Sequence, residues 1–167
     1  AVRGRAVLCP QTDEELAAVK AALPGAWLLV ASGGPNFGGT EDNFATRLGR
    51  ACDEAGIAGM IRPSRNELVR TGGNYQIDPA NLPTRVSILL RRDQFADAQA
   101  LVQAGETVEL EFDIAQTFTP GPIPLYNVLA EIPGTDKAEE MIIIGGHIDS
   151  WDGARGTQDN GTGTCTT

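Results

Sequence analysis

Three side chains near the end of the chain have the types and spacing of a metal site: His147, Asp149 and Asp159. They follow the run Met141–Ile144, whose mostly β-branched residues predict a short strand buried on both faces of a sheet. In open α/β sheets, ligands bind beyond the carboxyl ends of the strands, which is where these side chains would lie. Zinc binds imidazole nitrogen and carboxylate oxygen at about 2.0 to 2.2 Å. The segment is therefore a candidate zinc site.

Each of the three residues has an expected role in such a site. His147 offers a ring nitrogen, and Asp149, two residues further on, lies on the same side of a strand and can accept the second ring N–H. Asp159 follows a turn containing Gly153 and Gly156, which can return a carboxylate to the same ion or let it bridge two ions. A histidine after a strand is more often a structural residue, so the residue types alone leave both interpretations open.

The sequence around these residues resembles a known family. Residues 145–152 read GGHIDSWD and residues 158–163 read QDNGTG. Together they are similar to the first metal-binding segment of the co-catalytic zinc aminopeptidases, in the branch that contains plasma glutamate carboxypeptidase. Residues 126–134, YNVLAEIPG, resemble the strand that precedes this segment in the family.

The resemblance implies a two-zinc hydrolase of peptide bonds near a chain terminus. In it, His147 binds one ion, Asp159 bridges both, Asp149 orients His147, and the Asp159–Asn160 peptide is cis. The family's remaining parts are a Glu-Glu pair, a further carboxylate and a second histidine, whereas this chain has one histidine. We therefore expect part of an exopeptidase that is inactive alone, with the remainder of the catalytic domain and a peptide substrate as its partners.

Two other interpretations remain open. The chain is then either a free-standing module that binds peptides or proteins without catalysis, or it completes a metal site by oligomerisation. In the second case each copy would donate His147 and Asp159.

The composition of the chain limits the kinds of partner that it is expected to bind. A hydrophobic fraction of 41% in 167 residues is sufficient for a core, and a net charge of -9 with no basic run argues against nucleic acid and anionic membranes. No apolar run approaches the roughly 18 residues of a transmembrane helix. The family resemblance implies a secreted or periplasmic protein.

The three cysteines, Cys9, Cys52 and Cys165, are odd in number and widely spaced, without a metal-type pair. This pattern predicts small thiols that are buried or partly buried. A disulfide between Cys9 and Cys52 stays open for an exported protein.

Local sequence signals predict the secondary structure of the earlier part of the chain. Strands are expected at residues 5–9, 27–30, 57–61, 86–90 and 107–114. Thr12 and Glu15 form a capping box before one helix, Gly56 ends a second helix, and Asp93 caps a third that Gly105 ends. Residues 31–43 and 62–83 are expected to be loops.

The second of these loops contains one basic cluster, Arg62, Arg65 and Arg70. Such clusters are usually solvated, and contact with a substrate carboxylate is the minority interpretation.

This succession of strands and helices is similar to the protease-associated domain, which this peptidase branch inserts before its first metal segment. The predicted fold class is therefore α/β (α+β). A protease-associated β/β/α open-barrel-like domain at residues 1–118 precedes a partial α/β zinc-peptidase segment at residues 119–167. The prolines within residues 116–124 suit a connector. By the resemblance, the first domain shapes access to the active site and supplies no catalytic group.

Overall fold

A computed structural model of the chain describes residues 1–35, 42–67, 69, 78, 80, 82, 84–151 and 153–167. The chain divides into two compact units. The first unit is Ala1–Arg70 with Ala80–Phe118, and the second unit is Thr71–Pro79 with Thr119–Thr167. The assignment of residues 1–118 to a protease-associated domain stays a prediction.

The first unit is built on an open five-stranded sheet in the order β4-β3-β2-β1-β5. Its strands are β1 Val2–Leu8, β2 Trp27–Leu29, β3 Gly59–Pro63, β4 Ser87–Leu90 and β5 Glu109–Phe112. Strands β1 to β4 pair in parallel, and β5 pairs antiparallel with β1. The sheet confirms the predicted α/β class.

Three helices cover this sheet: α1 Asp13–Val19, α2 Phe44–Ala55 and α3 Arg92–Gln103, with a 3-10 turn at Lys20–Ala22 after α1. Three predicted helix ends are confirmed, and one of them is the end of α3 at Gly105, which has a left-handed φ of 84°. The Thr12 side chain accepts a hydrogen bond from the Glu15 backbone N–H at 3.2 Å. Gly56 ends α2 in the left-handed conformation at φ 65°, which glycine adopts without a steric penalty.

The predicted cap of α3 is wrong. The helix begins at Arg92 with Arg91 in the cap position, and Asp93 lies inside the first turn. There the Asp93 carboxylate accepts from the Gln94 N–H at 2.9 Å and pairs with Arg91. A carboxylate in the first turn is favoured by the helix dipole as well, so the residue type alone does not fix its position.

Side chains alternate along β2 and so build two buried clusters, one on each face of the sheet. Leu28 packs with Leu48 and Cys52 of α2, whereas Trp27 packs with Phe95 of α3. Because both faces are covered, β2 is apolar without interruption, as its sequence predicts.

The cysteine prediction is confirmed for two residues. Cys9 and Cys52 are buried free thiols in the same cluster, whereas Cys165 is exposed. Burial, followed by the neighbouring Cys52, raises the pKa of the Cys9 thiol to about 12. Such a thiol is protonated at neutral pH and therefore a poor nucleophile.

The two predicted loops are only partly described. Residues 31–35 and 42–43 contain no helix or strand, and residues 36–41 lie outside the described residues. The predicted loop at 62–83 begins later than expected, because β3 continues to Pro63. Arg62 donates to the Pro35 carbonyl at 2.9 Å, Arg65 is exposed, and Arg70 lies outside the described residues.

The ion pair of Arg85 with Asp53 predicts an acid-sensitive contribution to stability. The Arg85 Nε–H donates to Asp53 Oδ1 at 2.6 Å, and this hydrogen bond, with the guanidinium charge, lowers the pKa of Asp53. The stabilisation is therefore complete above the unfolded pKa of about 3.9 and is lost as the pH falls through the folded pKa. Since the Asp53 side chain is 56% exposed, we expect Asp53→Asn to lower the free energy of unfolding by only about 0.2 to 1 kcal/mol at pH 7.

Urea unfolding at pH 7 and at pH 3 measures this effect. The difference between Asp53→Asn and the unsubstituted chain shrinks at pH 3. Asp97→Asn on α3 is the matched control, because Asp97 is exposed and has no ion pair within the described part of the chain. A difference that persists undiminished at pH 3 contradicts the assignment.

The second unit has little regular structure. Its described helical segments are an irregular one at Thr157–Thr162 and a short helix, α4, at Gly163–Thr166. The predicted strand at Met141–Ile144 is wrong: these residues form no strand, and their exposed fractions run from 73% to 91%. The run 126–134 is likewise not a strand. A buried strand requires hydrogen-bonding neighbours, and no described residue pairs with either run.

No helix within the described residues has both the length and the apolarity to cross a membrane.

Candidate metal site

Two short segments of the second unit, residues 145–150 and 156–164, carry the candidate site. Within them the chain is held by local hydrogen bonds: the Gly161 N–H donates to the Gly156 carbonyl at 2.7 Å, and the Ser150 hydroxyl donates to the Ala154 carbonyl at 3.2 Å. The Thr164 hydroxyl donates to the His147 carbonyl at 2.9 Å, which joins one segment to the other.

Glycines permit the close approach of these segments. A Cβ added at Gly163 would lie 2.0 Å from Asn160 Oδ1, and one added at Gly146 would lie 3.1 Å from Asn160 Nδ2. The Asn160 side chain therefore occupies space that both glycines leave. Gly156 has φ 62°, a left-handed conformation that a residue with a side chain rarely adopts.

The structure brings all three predicted site residues together. His147 Nδ1 lies 2.9 Å from Asp149 Oδ1, and His147 Nε2 lies 3.0 Å from Asp159 Oδ1. The Asp159–Asn160 peptide is cis, as the family resemblance implies. Asp159 and Asn160 have non-helical backbone angles and so interrupt the segment Thr157–Thr162.

The environment of the imidazole favours its charged form. Partial desolvation of the ring acts to lower the pKa of His147, but the backbone and side chain of Asp149 and the charge of Asp159 together raise it. The side chain is 54% exposed, so water also reaches the ring.

The donor set fits a cation between His147 and Asp159. If Nδ1–H donates to Asp149, a neutral ring directs the lone pair of Nε2 at Asp159 Oδ1, and two acceptors then face each other across 3.0 Å. A proton or a metal ion removes this repulsion. Two ligands that are each about 2.0 to 2.2 Å from one zinc cannot be more than roughly 4 Å apart, and the pair meets that limit.

The pair is nevertheless incomplete as a catalytic zinc site, which normally has three protein ligands. Within the described part of the chain, no group of three or more His, Cys, Asp or Glu residues is arranged to hold a metal ion. Further ligands are therefore needed from outside this set.

The contacts made by Asn160 and Thr164 were not predicted from the sequence. Asn160 packs against two glycines, and Thr164 reaches a carbonyl seventeen residues earlier in the chain. Both contacts depend on how two segments meet. The one available signal was the small residues around them, at Gly146 and Gly163.

The comparisons with known proteins concern the segment that carries the candidate site. Peptidase family M28 matches residues 127–167, which contain the whole candidate site. This part of the chain is therefore similar to peptidase family M28, and the resemblance to the co-catalytic zinc peptidases that the sequence indicated is confirmed over this stretch.

The curated relatives are similar over a short stretch. Carboxypeptidase Q of Xenopus laevis is 47% identical over 38 residues, which are 23% of this chain and 8% of that protein. The proteins of the same name from Rattus norvegicus and Homo sapiens are 45% and 42% identical over the same length, with the same coverage. The chain thus matches about a twelfth of the length of these relatives. No solved structure matches the chain.

Proposed function

We propose that this chain contributes the first metal-binding segment of a zinc-dependent exopeptidase, which hydrolyses peptide bonds near a chain terminus. The observation that carries the proposal is the convergence of His147 Nε2 and Asp159 Oδ1 at 3.0 Å, with Asp149 behind the ring, in a segment of a peptidase family. Residues 1–118 act in this proposal as a protease-associated domain that shapes access for the substrate. The complete enzyme is exported.

Each site residue has one task in this proposal. His147 and Asp159 would hold zinc, and Asp159 would be shared between two ions. Asp149 accepts from Nδ1–H of His147 and so keeps Nε2 directed at Asp159. Zinc held there would supply Lewis-acid polarisation of the scissile carbonyl and a lowered pKa of water. The general base and the other ligands come from the remainder of the catalytic domain.

Exposed apolar runs in the second unit support the proposal that the remainder of the catalytic domain packs against this chain. Leu129 and Ile132 are 90% and 97% exposed, and the run Met141–Ile144 is exposed throughout. Burying one such side chain contributes about 1.5 to 3 kcal/mol, so a partner surface of matching shape would bind these runs strongly. We infer that the remainder of the catalytic domain packs against Met141–Ile144 and covers it.

The test compares the 167-residue chain with the longest product of its reading frame. Both are assayed for release of the terminal residue from dipeptides, with zinc and with a chelator. We expect hydrolysis by the longer product that the chelator abolishes and added zinc restores, and no hydrolysis by the 167-residue chain. Chelator-insensitive hydrolysis contradicts the metal roles, and a frame that ends at Thr167 contradicts the exopeptidase proposal for this polypeptide.

One observation favours a second candidate, a protease-associated module that binds peptides or proteins without catalysis. The first unit has its own buried core, whereas none of the described residues from 119 onward is buried. Such a unit has the core that independent folding requires. Peptide binding by the 167-residue chain that persists in chelator would support this candidate.

A further inference from the structure

We propose that Thr164 is a positioning residue that fixes the His147 backbone relative to the segment carrying Asp159. Its hydroxyl oxygen lies 2.9 Å from the His147 carbonyl and 3.0 Å from the Asn160 carbonyl. Thr164 belongs to the segment that carries Asp159, and its hydroxyl links that segment to the one that carries His147. The inference rests on the proposed function, because it assigns Thr164 a role in keeping the two ligands together.

Neighbouring threonines show that this contact is not a general property of the local helix. The Thr162 hydroxyl donates to the Gln158 carbonyl at 2.7 Å, and the Thr166 hydroxyl donates to the Thr162 carbonyl at 3.0 Å. Both bonds run four residues back along the chain, the usual behaviour of a helical threonine. Among these three described threonines, only Thr164 also reaches a carbonyl outside its own segment.

The ring of His147 needs a restraint of this kind. Its bond to Asp149 is local, spanning two residues, and orients the ring only within the segment 145–150. The distance from Nε2 to Asp159 depends instead on how that segment meets residues 156–164. Close packing of Gly146 supports the same junction, since a Cβ there would lie 3.1 Å from the Thr164 backbone nitrogen.

Replacing Thr164 by valine removes the hydroxyl and keeps a β-branched shape. Loss of one hydrogen bond of this kind predicts a zinc affinity that is lower by about 3- to 10-fold. Thr164→Ser restores the hydroxyl and is expected to restore the affinity. Thr162→Val is the matched control, because it makes the same chemical change at a hydroxyl that bonds only within its own segment.

Two measurements on the 167-residue chain separate the outcomes. The chain has one histidine, so every imidazole ¹⁵N signal in an NMR spectrum belongs to His147. Without metal, we expect Thr164→Val to shift the two ring-nitrogen signals towards those of a solvent-averaged imidazole, with no such shift in Thr162→Val or Thr164→Ser. With metal, competition between the chain and a chromophoric chelator for zinc gives the affinities.

The inference is overturned if Thr164→Val leaves the ring signals unchanged, or if Thr162→Val shifts them equally, since the effect would then come from the stability of the helical segment. Failure of the unsubstituted chain to bind zinc counts against the proposed metal roles instead. The metal-free ring signals still decide the role of Thr164 in that case.

Discussion

Asp159→Asn is expected to lower kcat/KM of the proposed exopeptidase by roughly 10³-fold or more. The substitution keeps the shape of the side chain but replaces a carboxylate by a neutral amide at the position that faces His147 Nε2 across 3.0 Å. Metal-ion catalysis contributes several kcal/mol, and each 1.36 kcal/mol is a tenfold change in rate. Dipeptide hydrolysis measures kcat/KM, and mass spectrometry of the metal content reports how much zinc the variant retains.

Asp136→Asn is the matched control for this variant. Asp136 is an exposed aspartate of the same unit, and its carboxylate accepts from the neighbouring Thr135 hydroxyl at 2.7 Å. We expect its activity to stay within about twofold of the unsubstituted enzyme, as is usual for a surface substitution. An Asp159→Asn enzyme that keeps its zinc and its activity would remove Asp159 from the proposed site.

The sequence was sufficient for those parts of the fold that short-range signals determine. The cap at Thr12 and the end of α2 at Gly56 depend on residues within one or two turns of one another. A capping hydroxyl or a left-handed glycine has the same effect in any protein. These predictions could therefore be made without knowledge of the tertiary contacts, and the structure confirms them.

Predictions that depend on partners elsewhere in space were less secure. The run Met141–Ile144 has the composition of a buried strand, but a strand forms only when neighbours accept its backbone hydrogen bonds. None of the described residues does so. The predicted cap at Asp93 was wrong for a related reason. The position of a carboxylate in the first turn of α3 depends on where that helix enters the fold.

The candidate site contains contacts that the local sequence predicts and one contact that it does not predict. The spacing of two between His147 and Asp149 leads to a local contact, and the glycine-rich turn allows Asp159 to return to the other ring nitrogen. The link through Thr164 was not predictable, because residues 147 and 164 are adjacent only after the chain has turned. The roles of these residues in metal binding stay a proposal.

Trp27→Ala is expected to lower the free energy of unfolding of the first unit by about 3 to 5 kcal/mol. The indole is fully buried and packs edge-on against Phe112, with ring centroids 4.9 Å apart. Two glycines make room for it: a Cβ at Gly59 would lie 2.6 Å from Trp27 Cζ3, and one at Gly4 would lie 3.2 Å from Trp27 Cδ1. Urea unfolding followed by far-UV circular dichroism measures the loss without relying on the fluorophore that is removed.

One feature of Trp27 places the expected loss towards the lower end of that range. Its buried indole N–H has no hydrogen-bond partner among the described residues, and such an unsatisfied group costs about 1 to 3 kcal/mol, which the substitution recovers. Trp151→Ala is the matched control, because Trp151 is 57% exposed and belongs to the second unit. We expect that control to change the free energy of unfolding by about 0.5 kcal/mol or less. An equal loss for both variants would show that the buried indole of Trp27 does not stabilise the sheet. Gly4 and Gly59 would then be required by the backbone rather than by the ring.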